Sequence, residues 1–320
     1  MLPTCNAQQI NRNLRQRLSL GELLALTLAF SVVGIFVWLS PTIPYAYFDL
    51  KNYLNAAHGY FSSYYYGYWL LPIFAALAEL PLNLSYMLWC CINILAIFFA
   101  ARVFGGKAPL ALLSYQMLYS LIYGGISGVI VGGLALCWLG LVNRKWNVAG
   151  LGIALASAKY QIGITGILFL LLTADISWKD RLRVLIVPTL VWTASLIVYP
   201  GWPLEALNNL LSNPPNDDGS ISLWRWLGPW ALLLWAPPFL LRLPSQRRFL
   251  ALAAVTGLAL PYFQQADLLF LLVLPIGWIG LLGNLGYLLG VYGWIALQIL
   301  ALVPLAVYIL ALSPAFIESG

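Results

Sequence analysis

Residues 20–40, "LGELLALTLAFSVVGIFVWLS", hold one ionisable side chain, Glu22, in an otherwise apolar run. A helix that crosses a hydrocarbon core needs about 20 mainly apolar residues, and this run has that length. Arg12, Arg15 and Arg17 precede it. Basic residues before an apolar core also occur in secretory leaders. Here the core is too long for a leader and no small-residue cleavage site follows. The run is expected to be an uncleaved first membrane helix.

The rest of the chain has the same character. Its 320 residues are 62% hydrophobic and only 8% charged, with mean hydropathy +0.86. Soluble domains are nearer ~45–50% apolar and ~25% charged. The expectation is an all-α polytopic membrane protein, a single integral domain over residues 1–320. No polar stretch is long enough to build a soluble domain. Interior Gly and Pro do not oppose this, since packed membrane helices tolerate both. Cys5, Cys90, Cys91 and Cys137 lack zinc-ligand spacing and read as small apolar filler. No nucleic-acid signature is present.

Basic residues divide the apolar runs. Arg12/Arg15/Arg17, Arg102/Lys107, Arg144/Lys145, Lys179/Arg181/Arg183 and Arg242/Arg247/Arg248 account for all but three of the 16 Lys and Arg. Cytoplasmic loops carry such residues, so each interval between clusters must contain an even number of crossings. Runs 20–40 and 84–101 fill the first. Runs 108–123 and 126–142, joined by "GGISG", fill the second. Runs 146–158 and 162–174, joined by "AKYQ", fill the third, and 184–200 with 229–242 the fourth. Runs 249–263, 267–283 and 288–312 follow. The total is about eleven crossings, with the N-terminus cytoplasmic and the protein in the plasma membrane. "YWLLPIFAALAEL" (68–80) is too short to cross and reads as a re-entrant or surface-lying helix. The net charge of +6 suits cytoplasmic loops beside anionic lipid.

The residues left outside are Asp49, Lys51, His58, Glu79, Lys159, Glu205, Asp217, Asp218, Arg225, Asp267 and Glu318. Ionisable groups at a membrane mouth are costly unless they face protein or water. A polar, partly acidic outer cavity is therefore expected, between external loops of about 41–83 and 201–228.

"FDLKNYLNAAHGYF" (48–61) reads as an amphipathic helix lying on the membrane. Asp49, Asn52 and Tyr53 share one face, and Lys51, Asn55 and His58 another. Asp49 is either a functional carboxylate or only a helix cap. His58 suits a surface or packing role better than catalysis. "SSYYYGYW" (62–69), with Tyr64 and Tyr65, is either an interfacial anchor or an aromatic wall for a sugar or lipid headgroup. Lys159 lies between two short runs, below the outer surface. A buried lysine needs an anion, which a fixed aspartate or a ligand phosphate would supply. Gln161 follows two residues on. Arg225, between two tryptophans, suits an anionic group. Gln264, Gln265 and Asp267 fall on the same outer side. Asp217 and Asp218, in "NPPNDDGS", suit a solvated turn.

Taken in order, the external aspartate element, the tyrosine-rich region, "GLGIALASAKYQIG" (150–163) and "LPYFQQADLLFLLVLP" (260–275) resemble a known family. The chain is similar to the bacterial polyprenyl-phosphate-mannose-dependent mannosyltransferases of the C-type (GT-C) membrane glycosyltransferases. That family commonly shows "GL…K-P" and then "S-P…Y-D-L…L", and Lys159 and Asp267 fall on the charged positions. In this chain Tyr160, not proline, follows Lys159, and "GGISG" stands where the family often has Gly-Gln. The resemblance implies a polyprenyl-phosphate sugar donor, a lipid or glycan acceptor, and Asp49 as the external catalytic aspartate. Lys159 and Arg225 would then hold the phosphate. Gln161, Gln264, Gln265 and Asp267 would orient sugar hydroxyls. Lys51, Tyr53, His58, Tyr64 and Tyr65 are secondary candidates. The acidic residues are too few to require a divalent metal and do not forbid one.

Two other classes compete. A non-catalytic subunit of a larger membrane complex could retain this fold. A transporter would show internal repeats and charges at the bilayer midplane; no repeat is visible and the charges gather at one face.

Overall fold

The structure, a computed structural model, describes residues 7–43, 45–61, 64–212 and 220–313. Asp217, Asp218, Glu318 and Cys5 fall outside them. Among the described residues the chain is helical, with one isolated bridge between Ser220 and Gln264.

The elements run α1 (Ala7–Arg15), α2 (Leu20–Leu39), α3 (Phe48–Ala57), α4 (Leu71–Ala78), α5 (Leu82–Phe104), α6 (Ala108–Leu112), α7 (Tyr115–Tyr123) and α8 (Ser127–Val142). They continue with α9 (Trp146–Ala156), α10 (Tyr160–Thr173), α11 (Trp178–Val198), α12 (Trp202–Ser212), α13 (Trp224–Leu227), α14 (Ala236–Leu240) and α15 (Ser245–Ala259). The last are α16 (Leu269–Leu272), α17 (Gly286–Leu289), α18 (Trp294–Leu297) and α19 (Leu302–Leu312), with 3₁₀ turns between them.

Local chemistry explains the long helices. Ser19 and Glu22 form a capping box at the start of α2, satisfying backbone donors that would otherwise be orphaned. Ser177 caps α11 with its hydroxyl, which accepts from the Asp180 N–H. Both helices expose apolar side chains along their length, among them Leu24, Leu28 and Ile35 on α2 and Ile186, Leu190 and Ile197 on α11. So much exposed hydrocarbon suits lipid and not water.

Among the described residues three segments are long and apolar enough to cross a membrane: 20–42, 82–104 and 178–198. A fourth exists if α7 and α8, bent by 116° at their junction, count as one broken span. Of the eleven or so crossings expected, three or four are thus long single or once-broken helices, and other apolar runs form shorter helices of 10–17 residues. Run 108–123 breaks into α6 and α7, and the run from 267 becomes short α and 3₁₀ pieces. Ser114 caps the new helix at the first break, Gly124 turns α7 into α8 with a left-handed φ of +71°, and prolines punctuate the later runs. Periodicity registers apolar length but not the bends inside it. Residues 68–78 do form a short helical segment. It packs into the protein, with Phe74 against Tyr53 and Trp89.

The core forms where α8 packs on α5 and α9, α9 on α11, and α15 on α19. Small residues allow this closeness. A Cβ on Gly152 would sit 2.2 Å from the Cys137 amide nitrogen, and one on Gly140 2.3 Å from that of Ala149. The two ends of the bundle differ in chemistry. At one end Asn11 bonds Asn143 at 3.1 Å, and Arg102 pairs with Glu22 at 2.8 Å. Three of the basic clusters meet there. Asp49, Lys159 and Asp267 gather toward the other end.

Replacing Gly152 by Ala should therefore cost about 1–3 kcal/mol through overpacking. Gly34→Ala, where a Cβ meets no atom within 4 Å, should be neutral or stabilising, since alanine is the better helix former. Thermal unfolding in detergent checks the pair.

Candidate functional site

Four chain segments build the site. The first is α3. It starts after Tyr47, whose φ of +61° turns the chain sharply, and no side chain caps it. Leu50, Tyr53 and Ala56 are buried, whereas Lys51, Asn55 and His58 are exposed. Asp49 is half-buried. Its carboxylate makes no capping bond and reaches toward Gly125, where an added Cβ would lie 3.6 Å from Oδ2.

The second segment is the α7–α8 turn. Gly124 must be glycine, because its φ is positive and a Cβ would meet that of Leu50 at 2.8 Å. The Trp89 indole donates to the carbonyls of Gly124 and Gly125, and Tyr86 donates to Leu121. These bonds satisfy the carbonyls the bend frees. Ser127 then opens α8 with its hydroxyl facing the site.

The third segment is the break between α9 and α10, with Lys159 at the N-terminus of α10. Gly163 permits the tight turn: a Cβ there would lie 1.8 Å from the carbonyl oxygen of Ala156. The aromatic loop clamps the turn from outside. Gly67 N–H donates to Ala158, and Trp69 Nε1 to Ala154 at 2.7 Å. The fourth segment is a 3₁₀ turn, Gln265–Leu268, with a capping box in which Asp267 accepts from the Gln264 amide. Ile221 N–H donates to Phe263 and holds this segment in place.

At their meeting point Lys159 Nζ contacts Asp267 Oδ1 at 2.5 Å, with both side chains almost fully buried. Ser127 Oγ donates to the same oxygen at 3.2 Å. Asp49 lies within electrostatic reach of both partners. Burial pushes its carboxyl up to about 6; Lys159 pulls the value down and Asp267 pushes it up. Lys51 faces away, with its ammonium 6.0 Å from the Tyr47 ring centroid, and Lys159 is the cation that acts on Asp49. The carboxylate is still mostly ionised at neutral pH, because 7 lies above 6.

Tyrosines surround these charges. Tyr53 and Tyr66 stand edge to face, 5.2 Å between centroids. Burial raises both phenols well above their usual range, with Asp49 adding to the shift, so both remain proton donors. Tyr119 and Tyr123 on α7 feel the same carboxylate. Tyr262 contacts the Gln264 amide. The Tyr53 hydroxyl and both amide atoms of buried Gln265 lack a hydrogen bond of good geometry among the described residues, although Tyr66 approaches Tyr53 and Tyr119 approaches Gln265. Buried polar atoms seldom stay unpaired without a ligand or water to serve them.

Of the residues read from sequence, Asp49, Tyr53, Lys159, Gln265 and Asp267 come together here. Gln264 is half-buried beside them, and Gln161 is half-buried in the first turn of α10. Arg225 is exposed on α13. His58 is exposed at the end of α3, and Tyr65 is half-buried. Tyr64 spends its hydroxyl on the Gly67 carbonyl at 3.0 Å. Ser127, Tyr66, Tyr119 and Tyr262 were missed. "GGISG" and "SSYYYGYW" were noticed, but neither told which side chain would turn inward. No group of three His, Cys, Asp or Glu side chains close enough for a metal ion occurs among the described residues.

The fold and site define an all-helical membrane protein with a buried lysine–carboxylate centre beside a partly exposed, pKa-raised carboxylate. The sequence model of glycosyltransferase family 87 matches residues 64–273, and the chain belongs to that family. It is a membrane glycosyltransferase, with a glycosyl donor and an acceptor as its substrates. Searches of curated proteins and of solved structures found no match. The matched region contains Lys159, Ser127 and Asp267; Asp49 precedes it.

A buried pair broken on one side leaves an uncompensated charge, at a cost of about 3–5 kcal/mol. Lys159→Met should be destabilised by about that amount. Adding Asp267→Asn, whose oxygen can accept from the Gln264 N–H while its amide nitrogen donates to the Ser127 hydroxyl, should recover most of it. Unfolding of the two variants side by side checks this.

Proposed function

We propose that this protein transfers a hexose, mannose by family resemblance, from a polyprenyl-phosphate donor to an acceptor hydroxyl on the extracytoplasmic face, with inversion. The observation that carries the reading is the meeting of Asp49, Lys159 and Asp267 among unpaired polar groups, in a chain of this family. A lipid-linked donor needs a site open to the bilayer, and the lipid-facing surfaces of α2 and α11 fit a protein embedded beside such a donor.

Asp49 is the general base. The acceptor O–H gives its proton to the carboxylate, and the acceptor oxygen attacks the anomeric carbon. The bond from that carbon to the phosphate oxygen breaks, its electron pair stays on the phosphate, and polyprenyl phosphate leaves. The transition state has oxocarbenium character. A base works best with a pKa near the working pH, and a value of about 6 suits a carboxylate in this role. Lys159 shares its charge between Asp267 and the departing phosphate, and Arg225 receives the phosphate at the mouth. Gln161, Gln264, Gln265 and Asp267 take sugar hydroxyls, and the Tyr53 and Tyr66 phenols donate to sugar or phosphate oxygens.

Asp49→Asn tests this with purified protein and a lipid-linked sugar. Turnover should fall about 10²–10⁴-fold, the usual contribution of a general base. Stability should hold or rise, because folding raises the Asp49 pKa and so disfavours its ionised form above pH 6. Retained turnover would remove Asp49 from the chemistry. In the wild type, kcat/KM should climb about tenfold per pH unit up to about 6 and level above it. An initial product of retained configuration, read by NMR, would sink direct attack.

A further inference from the structure

The end of α5 away from the transfer site carries a second opening. Trp89 and Arg102 lie on the same helix, roughly 20 Å apart along its axis. Around Arg102, between the α1–α2 linker, the end of α5 and the start of α6, is a cavity of about 540 Å³ lined by Arg17, Glu22, Arg102, Lys107 and Trp278. Arg102 is already committed. It holds Glu22 through two bonds, of 3.0 and 2.8 Å, and donates to the carbonyls of Asn13, Gln16 and Arg17. Its charge is cancelled, and it shapes the wall.

Arg17 and Lys107 differ. Both are exposed, and neither pairs with a carboxylate among the described residues. Lys107 Nζ sits 4.3 Å from the centroid of Trp278, whose indole is 72% exposed. Tryptophans so placed favour the membrane–water interface. A smaller cavity, about 170 Å³, shares Gly105, Lys107 and Leu110 with the first, and its other walls include Leu272, Leu274 and Ile276. Gly106 keeps the two strips of backbone close, since a Cβ there would lie 2.2 Å from the Val273 carbonyl oxygen. A basic pocket therefore continues into an apolar slot, with Lys107 on the rim of both.

We propose that these joined cavities bind an anionic phospholipid, its phosphate between Arg17 and Lys107 and one acyl chain against Leu110, Leu272 and Ile276. The two unpaired cations select a negative headgroup. The contiguous apolar slot and the interfacial tryptophan select a lipid over a free anion. The site is separate from the donor site, so its occupant is not the transfer substrate.

The test titrates purified protein in detergent with short-chain phosphatidylglycerol, phosphatidylcholine and inorganic phosphate, reading occupancy by native mass spectrometry and stability by thermal shift. Phosphatidylglycerol should bind in preference to phosphatidylcholine and should stabilise. Inorganic phosphate should do neither. Each cation near an anionic lipid gives about a fivefold gain, so Arg17→Gln with Lys107→Gln should weaken phosphatidylglycerol binding about 25-fold. The lipid-free thermal midpoint and glycosyl transfer should be unchanged, because neither residue touches the transfer site. Undiminished binding by the double variant would overturn the proposal. So would stabilisation by inorganic phosphate equal to that by phosphatidylglycerol, which would make the pocket a site for free anions.

Discussion

The contact between Lys159 and Asp267 joins parts of the chain 108 positions apart. Two charges this deep are stable only as a pair, because each alone would face a large desolvation cost. The contact therefore fixes the α9–α10 break against the 3₁₀ turn before α16. Ser127 accepts the same constraint by donating to Asp267, which brings in the start of α8. Three broken helices thus end at one point. Their breaks are where a membrane protein can afford irregular backbone, since protein rather than lipid surrounds it.

Aromatic side chains hold this centre from the outside. Trp89 ties down the α7–α8 turn, Trp69 the α9–α10 turn, and Phe74 and Tyr53 fill the space between them. Rings suit the task because they bury large area while a polar edge serves a stray carbonyl. The same packing leaves Asp49 with protein mass around it and an opening before it. That is how one carboxylate becomes weakly basic while the other, Asp267, is tied to a lysine. Two acids in one site thereby meet different surroundings: Asp267 is held by Lys159, Ser127 and the Gln264 backbone N–H, and Asp49 keeps an exposed side.

That Lys159 needs an anion was legible early, since a charge in an apolar run demands a partner; that Asp267 contacts it was not. Ser127 was not legible, because a serine in "GGISG" looks like any turn serine until the bend aims it. Lys51 stands two residues from Asp49, but on a helix that spacing points the side chains to different faces, and the cation that acts on Asp49, Lys159, comes from another helix entirely. Helical breaks such as that between α6 and α7 inside run 108–123 were not legible, because hydropathy measures length and not direction.

Sequence alone determined the solvent of this protein, its helical class and the rarity of its charges. Those follow from composition and from the ~20-residue rule, which need no neighbours. The tertiary structure alone decided which charges meet, which tyrosines turn inward and which carboxylate keeps an open side. Those depend on bends at single glycines and on the cost of leaving any buried charge or carbonyl unpaired, and that cost is settled only when distant segments have come into contact.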